Sequence, residues 1–157
     1  MNHPLSIYRG LPKPIYTLFF STVINSVGIF VYPFLTLYLT QRLSYPPARA
    51  GLLLTIASIL YVPGSLLGSK LADTIGRKRV FVPCTILMNS CYLAAGFLEG
   101  TGWVPLLVLL ALFFDGMIDP AHEAMKTDVT TIENRQVSFS LIYLGHNIGF
   151  ALGPIIA

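Results

Sequence analysis

Residues 69–79 read Ser69-Lys70-Leu71-Ala72-Asp73-Thr74-Ile75-Gly76-Arg77-Lys78-Arg79. On one side lie 20 uncharged residues between Arg49 and Lys70, and on the other 19 between Arg79 and Glu99. A helix rises 1.5 Å per residue, so about 20 apolar residues cross a bilayer. The charged segment is therefore a short connection between two membrane spans. Asp73 precedes Arg77 by four residues, the better orientation for an acid–base pair on a helical turn. Gly76 lets the chain reverse with φ > 0. The triple base alone would serve equally to hold a loop in the cytoplasm. Acid, glycine and triple base together, in a loop this short, are more specific.

The same punctuation extends outward. Lys13 and Arg42 are separated by 28 uncharged residues, and 22 follow Arg135. These gaps predict spans near 15–39, 50–69, 80–98 and 136–157. Gly100 to Phe114 offers 15 uncharged residues, too few alone. A span is still needed there to bring the basic ends of its neighbours to one side, so a helix is expected over 103–121, carrying Asp115 inward. With the N-terminus cytoplasmic, Arg9, Lys13, Lys70, Arg77, Lys78, Arg79, Lys126 and Arg135 lie inside, and only Arg42 and Arg49 outside. That asymmetry orients the chain by the positive-inside rule. The expected fold is an all-α bundle of about five transmembrane helices, without a linker, in the cell membrane.

Composition agrees. Of 157 residues 54% are hydrophobic and 11% charged, whereas soluble domains carry about a quarter charged. A net charge of +3, scattered along the chain, does not make a nucleic-acid surface. Cys84 and Cys91 share one apolar run and suit neither a disulfide scaffold nor a thiol metal site. No metal or cofactor motif is legible. The first apolar run is too long for a signal peptide and has no cleavage pattern behind it.

With these residues in place, the chain resembles the major facilitator superfamily, whose loop between helices 2 and 3 has the form G-x-L-A-D-R-x-G-R-K. Leu71, Ala72, Asp73, Gly76, Arg77 and Lys78 match; Ser69 replaces the first glycine and Thr74 the usual arginine. The resemblance implies a gating latch of Asp73, Gly76, Arg77, Lys78 and Arg79. Pro120-Ala121 resembles the family's helix-4 ending, and the resemblance makes Asp128 and Arg135 partners of the latch. Taken singly, each charge there reads as part of a solvated loop.

Gly145, Gly149 and Gly153 recur every four residues and Pro154 follows, a stripe where another backbone can approach closely. It is similar to the G-x-x-x-G-P-x-x-G-G element of the superfamily's drug–proton antiporters. Gly64 and Gly68 form a shorter stripe. In the family both would pack on the second half, so that missing half is an expected partner. Leu112 stands where such antiporters carry an arginine.

The resemblance implies secondary active transport of a small organic solute, as proton-coupled multidrug efflux by an antiporter. A solute uptake symporter or facilitator is the alternative within the superfamily; a truncated, non-transporting fragment is another. Solute sites in such folds lie near the midplane. Candidates are Asn25, Tyr32, Asp115, His146 and Asn147, of which Asn25, Tyr32 and Asn147 read first as packing groups between helices. Counted from Trp103, Asp115 lies about 18 Å along its helix. An ionised carboxylate there costs roughly 2.5–3.5 kcal/mol, so it should face a cavity or partner. It is the candidate proton- or cation-coupling group. A different class is a membrane enzyme using Asp115, Asp119 and His122, which share one helix face, although hydrolytic and metal centres draw groups from several elements.

Overall fold

A computed structural model describes residues 7–29, 31–98 and 101–156, with the backbone alone at residues 29, 31–33, 154 and 156. All regular elements among the described residues are helical: α1 (Lys13–Ile29), α2 (Val31–Leu37), a wide π-helical turn (Tyr38–Arg42), α3 (Pro47–Ile75), α4 (Arg77–Phe97), α5 (Val104–Asp128) and α6 (Arg135–Ile156). The chain divides into two compact units, residues 1–35 with 126–157, and residues 36–125.

Among the described residues, three helices are long and apolar enough to cross a membrane: α3, α4 and α5. The other two expected spans differ. Residues 15–39 hold α1, of 17 residues, and α2, of seven. Phe30 lies outside the described residues. Helix α6 has 22 residues; Arg135 and Gln136 open it, and His146 and Asn147 lie within its apolar run.

Within the second unit, α3 begins at Pro47, where a fixed φ and a missing N–H cost nothing. Arg49 lies over the Tyr45 ring at 4.7 Å just before it. The helix buries its small residues, Ala50, Ala57, Gly64, Gly68 and Ala72, and exposes Leu52, Ile59, Val62 and Leu66. In water this would be inverted. In lipid there is no gain from hiding large apolar side chains, while small residues let backbones approach closely. The same inversion leaves Leu93 and Phe97 of α4 exposed, Phe97 by 88%.

Helix α5 is the most buried of the three. A carbon added at Gly68 would stand 2.5 Å from Met117 Cα and 2.8 Å from its carbonyl carbon. Gly64 meets the Phe113 backbone, and Gly116 in turn meets the Tyr61 and Ser65 backbones. Two chains at this separation tolerate no Cβ. Ala72, Val80, Cys84, Met117, Ile118 and Ala121 close the core, with Phe81, Met88, Phe113 and Phe114 against it. Cys84 is a buried core residue and Cys91 half-buried.

In the first unit α6 packs along α1. Gly145 lies under Phe19, where a Cβ would meet the ring at 2.9 Å, and Gly149 lies under Ser26 and Val27, at 2.6 Å and 3.1 Å. Both glycine stripes thus have partners within the chain: α1 for the stripe of α6, and α5 for that of α3. The expectation that they wait for a second half is corrected. A carbonyl can accept so close an approach only from a residue with no side chain.

Candidate functional site

The segment 69–79 is not an open loop. Helix α3 continues through Lys70 and Asp73 to Ile75, and α4 begins at Arg77, so Gly76 is the single residue between them. Its φ of +101° and ψ of 139° are strained for any residue with a Cβ, which explains the glycine. Asp73 is exposed on the last turn of α3. Arg77 is half-buried, and its Nη1 donates to the Ala124 carbonyl at 2.8 Å. Ala124 is near the C-terminal end of α5, where the dipole favours a cation. The arginine therefore ties the start of α4 to the end of α5. Lys78 and Arg79 are exposed and, with Ile75, Gly76, Arg77, Val82 and Pro83, line an open hollow of about 690 Å³.

Helix α5 does not end at Pro120-Ala121. It runs through Pro120 to Asp128. A proline inside a helix removes one backbone hydrogen bond, and membrane helices tolerate this where packing supports them; Ala121 is fully buried. Asp128 is exposed at the end of α5 and Arg135 exposed at the start of α6.

Asp115 is half-buried on α5, and Asp119 follows one turn on, exposed. The Tyr61 hydroxyl of α3 donates to Asp119 Oδ2. Tyr61 is thus a site residue that sequence reasoning missed; 58 positions separate the pair, and neither residue type announces the other. One turn further, His122 stacks on Phe81 with ring centroids 5.2 Å apart. Among the described residues, no three His, Cys, Asp or Glu side chains are grouped so as to hold a metal ion.

In the first unit, His146 Nδ1 is 2.9 Å from Ser26 Oγ of α1. Its ring lies between Tyr143 and Phe150, with centroids 6.2 Å and 6.4 Å away and planes inclined by 23° and 22°. Asn147 donates from Nδ2 to the Tyr143 carbonyl one turn back, a bond within its own helix. Asn25 is half-buried on α1. The Tyr32 and Pro154 side chains lie outside the described residues, as does Ala157; Gly153 is buried. Ser26 and the buried Thr22 were not foreseen; each is a small hydroxyl residue in an apolar run, with nothing in sequence to mark it.

Membrane-length helices that pack by their glycines, with two carboxylates on a span, define a multi-pass α-helical membrane protein. Residues 18–157 match the Major Facilitator Superfamily. The chain belongs to that superfamily. It is similar to the Na(+), Li(+), K(+)/H(+) antiporter of Planococcus maritimus, 32% identical over 131 residues, which cover 80% of this chain and 30% of that protein. It is also similar to the MFS-type transporter YttB of Bacillus subtilis (strain 168), 30% identical over 145 residues, covering 91% and 36%. The inner membrane transport protein YnfM of Escherichia coli (strain K12) is 30% identical over 121 residues, covering 76% and 28%. The chain spans about a third of the length of the curated relatives it matches. The superfamily consists of transport proteins and not enzymes, which sets aside a hydrolytic or metal centre at Asp115, Asp119 and His122.

Proposed function

We propose that these residues are the N-terminal transmembrane portion of a proton-coupled secondary antiporter, with the N-terminus in the cytoplasm. The observation that carries this reading is Asp115, half-buried within a membrane-length helix and followed one turn on by Asp119, which holds the Tyr61 hydroxyl. Ionised carboxylates inside a span are costly and mark ion or proton pathways. Asp115 is the coupling group, and Tyr61 fixes Asp119 as its neighbour. The exported solute is a small organic molecule, as the glycine element of α6 supports, and the other half of the transporter closes the route. The gating segment Asp73–Arg79 controls which side is open.

A second reading has a specific support. Two carboxylates one turn apart also suit a monovalent cation exchanged for protons, and the Planococcus maritimus relative carries that activity in its name. In proteoliposomes of the whole transporter loaded with a pH indicator, addition of an organic cation or of Na⁺, Li⁺ or K⁺ should move protons for one class only. Asp115→Asn should abolish uphill, proton-driven movement, because a carboxamide cannot take up the coupling proton. Downhill solute exchange should persist. Unchanged pH-driven uphill transport in Asp115→Asn would remove Asp115 from the coupling step.

A further inference from the structure

The open hollow where α3 meets α4 has two chemically different halves. One is basic, formed by the half-buried Arg77 and the exposed Lys78 and Arg79. The other is apolar, formed by Ile75, Val82 and Pro83, with Ile75 48% and Val82 42% exposed. No acidic residue is among those that line it. A wall with three basic groups and no acid attracts an anion. Its volume of about 690 Å³ is that of a small-molecule site, roughly 300–1,000 Å³.

The position of the hollow along the helices selects among anions. Arg79 is the last charge before the 19 uncharged residues that end at Glu99. The boundary between headgroups and hydrocarbon therefore falls in the next turn of α4, which carries Val82 and Pro83. Positions 79, 82, 83 and 86 recur at the spacing of one helix face. Ile86, 60% exposed, continues that apolar stripe away from the charges. The apolar half is thus at the level of lipid tails and is filled by them in any case. A headgroup tethered to those tails is held beside the bases at an effective concentration that a free phosphate lacks.

We propose that this hollow binds an anionic phospholipid, with Lys78 and Arg79 on the headgroup phosphate and an acyl chain along the stripe of α4. The planar guanidinium of Arg79 pairs with two phosphate oxygens at once, and Lys78 adds a point charge. Arg77, whose Nη1 donates to the Ala124 carbonyl at 2.8 Å, forms the back wall and adds its charge without leaving that bond. Basic pockets beside membrane helices hold acidic headgroups in this way. The site is separate from Asp115 and holds whichever solute is carried and in whichever direction.

The test titrates the whole 157-residue chain in dodecyl maltoside with dioleoyl phosphatidylglycerol and counts bound lipid by native mass spectrometry. One phosphatidylglycerol per chain should be retained at about a tenth of the concentration that dioleoyl phosphatidylcholine needs, because choline cancels the phosphate charge. Lys78→Gln combined with Arg79→Gln should raise the half-saturating concentration by about tenfold or more, each base near a membrane surface being worth about fivefold. Lys78→Arg with Arg79→Lys keeps both charges and should stay within about threefold of the parent. Arg9→Gln with Lys13→Gln removes the same charge at the start of α1 and should also stay within about threefold. Inorganic phosphate in large excess should leave the lipid bound. The comparison of the two lipids in the parent decides the matter even where the glutamine variant fails to fold. Equal retention of both lipids, displacement by inorganic phosphate, or a loss at Lys78 and Arg79 no larger than that at Arg9 and Lys13 would each overturn the site.

Discussion

Replacing Gly68 by alanine tests the closest backbone approach in the second unit. The added carbon would stand 2.5 Å from Met117 Cα and 2.8 Å from its carbonyl carbon, both main-chain atoms that no rotamer change can move. Ordinary contact begins near 3.4 Å, so α3 and α5 must separate by about 1 Å at this level. Overpacking of this kind costs about 1–3 kcal/mol. Alanine also gains about 0.5–1 kcal/mol over glycine inside any helix, and a control isolates that gain. Gly51 lies on the same helix with nothing within 4 Å of an added carbon. Gly51→Ala should therefore be neutral or stabilising. The two variants should differ by the packing cost alone, about 5- to 150-fold in the unfolding equilibrium. Denaturation by SDS in mixed micelles, followed through the single tryptophan, Trp103, measures both. Equal midpoints for Gly68→Ala and Gly51→Ala would refute the close approach of α3 to α5.

Four further outcomes are expected. In a background lacking Cys84 and Cys91, Thr74→Cys should resist an impermeant thiol reagent in intact cells while Ser44→Cys reacts; labelling of Thr74→Cys would invert the proposed orientation. Arg77→Ala should destabilise by about 1.5–3 kcal/mol in the same micelle assay, since it removes a charged donor from the half-buried bond to the Ala124 carbonyl. Asp73→Asn, an exposed change, should stay within about 0.5 kcal/mol and yet slow transport by the whole protein if the segment gates it. The Thr131 hydroxyl, and secondarily its own backbone N–H, hold the Glu133 carboxyl below its ordinary range. A depressed acid stabilises the turn above the unfolded value, and that support is lost as pH falls through the folded one. The protection factor of the Thr131 amide, whose N–H donates to Asn134 Oδ1 at 2.9 Å, should fall on that acidic side in the parent and not in Glu133→Gln.

The charge-free gaps located α3 and α4 because an ionic side chain in lipid is costly wherever it falls in the sequence; α5 followed from the need to bring the basic ends of its neighbours to one side. The gaps did not set the ends of those helices. A helix keeps its hydrogen bonds after leaving the apolar layer, so α3 carries Lys70 and Asp73 to Ile75, and α5 carries Glu123 and Lys126 to Asp128. The gaps mark the membrane layer and not the helix. Pro120 misled for a related reason, because one lost hydrogen bond does not outweigh the packing of Gly116, Ala121 and Met117 around it. The period of Gly145, Gly149 and Gly153 was plain, and so was its meaning as a surface of close approach. The partner was not, since α1 lies more than a hundred residues away and presents only Phe19, Val23, Ser26 and Val27. The bonds from Tyr61 to Asp119 and from Ser26 to His146 were hidden likewise. Each joins a common polar residue to one 58 or 120 positions distant, and only three-dimensional packing brings them together.

The one-residue junction at Gly76 makes two long rods share an angular reference. A helix turns 100° per residue at 3.6 residues per turn. Inserting or deleting a single residue between Ile75 and Arg77 would therefore rotate every side chain of α4 by nearly a third of a circle, carrying Val80 and Cys84 out of the core and Arg77 away from Ala124. Longer loops absorb length variation, but this joint has no slack. Substitutions can accumulate on either side of it while its length stays fixed, and a tag or reporter inserted there would unseat the whole of α4. The loop 129–134, which has no helix of its own, is the place where the chain can be lengthened without such an effect.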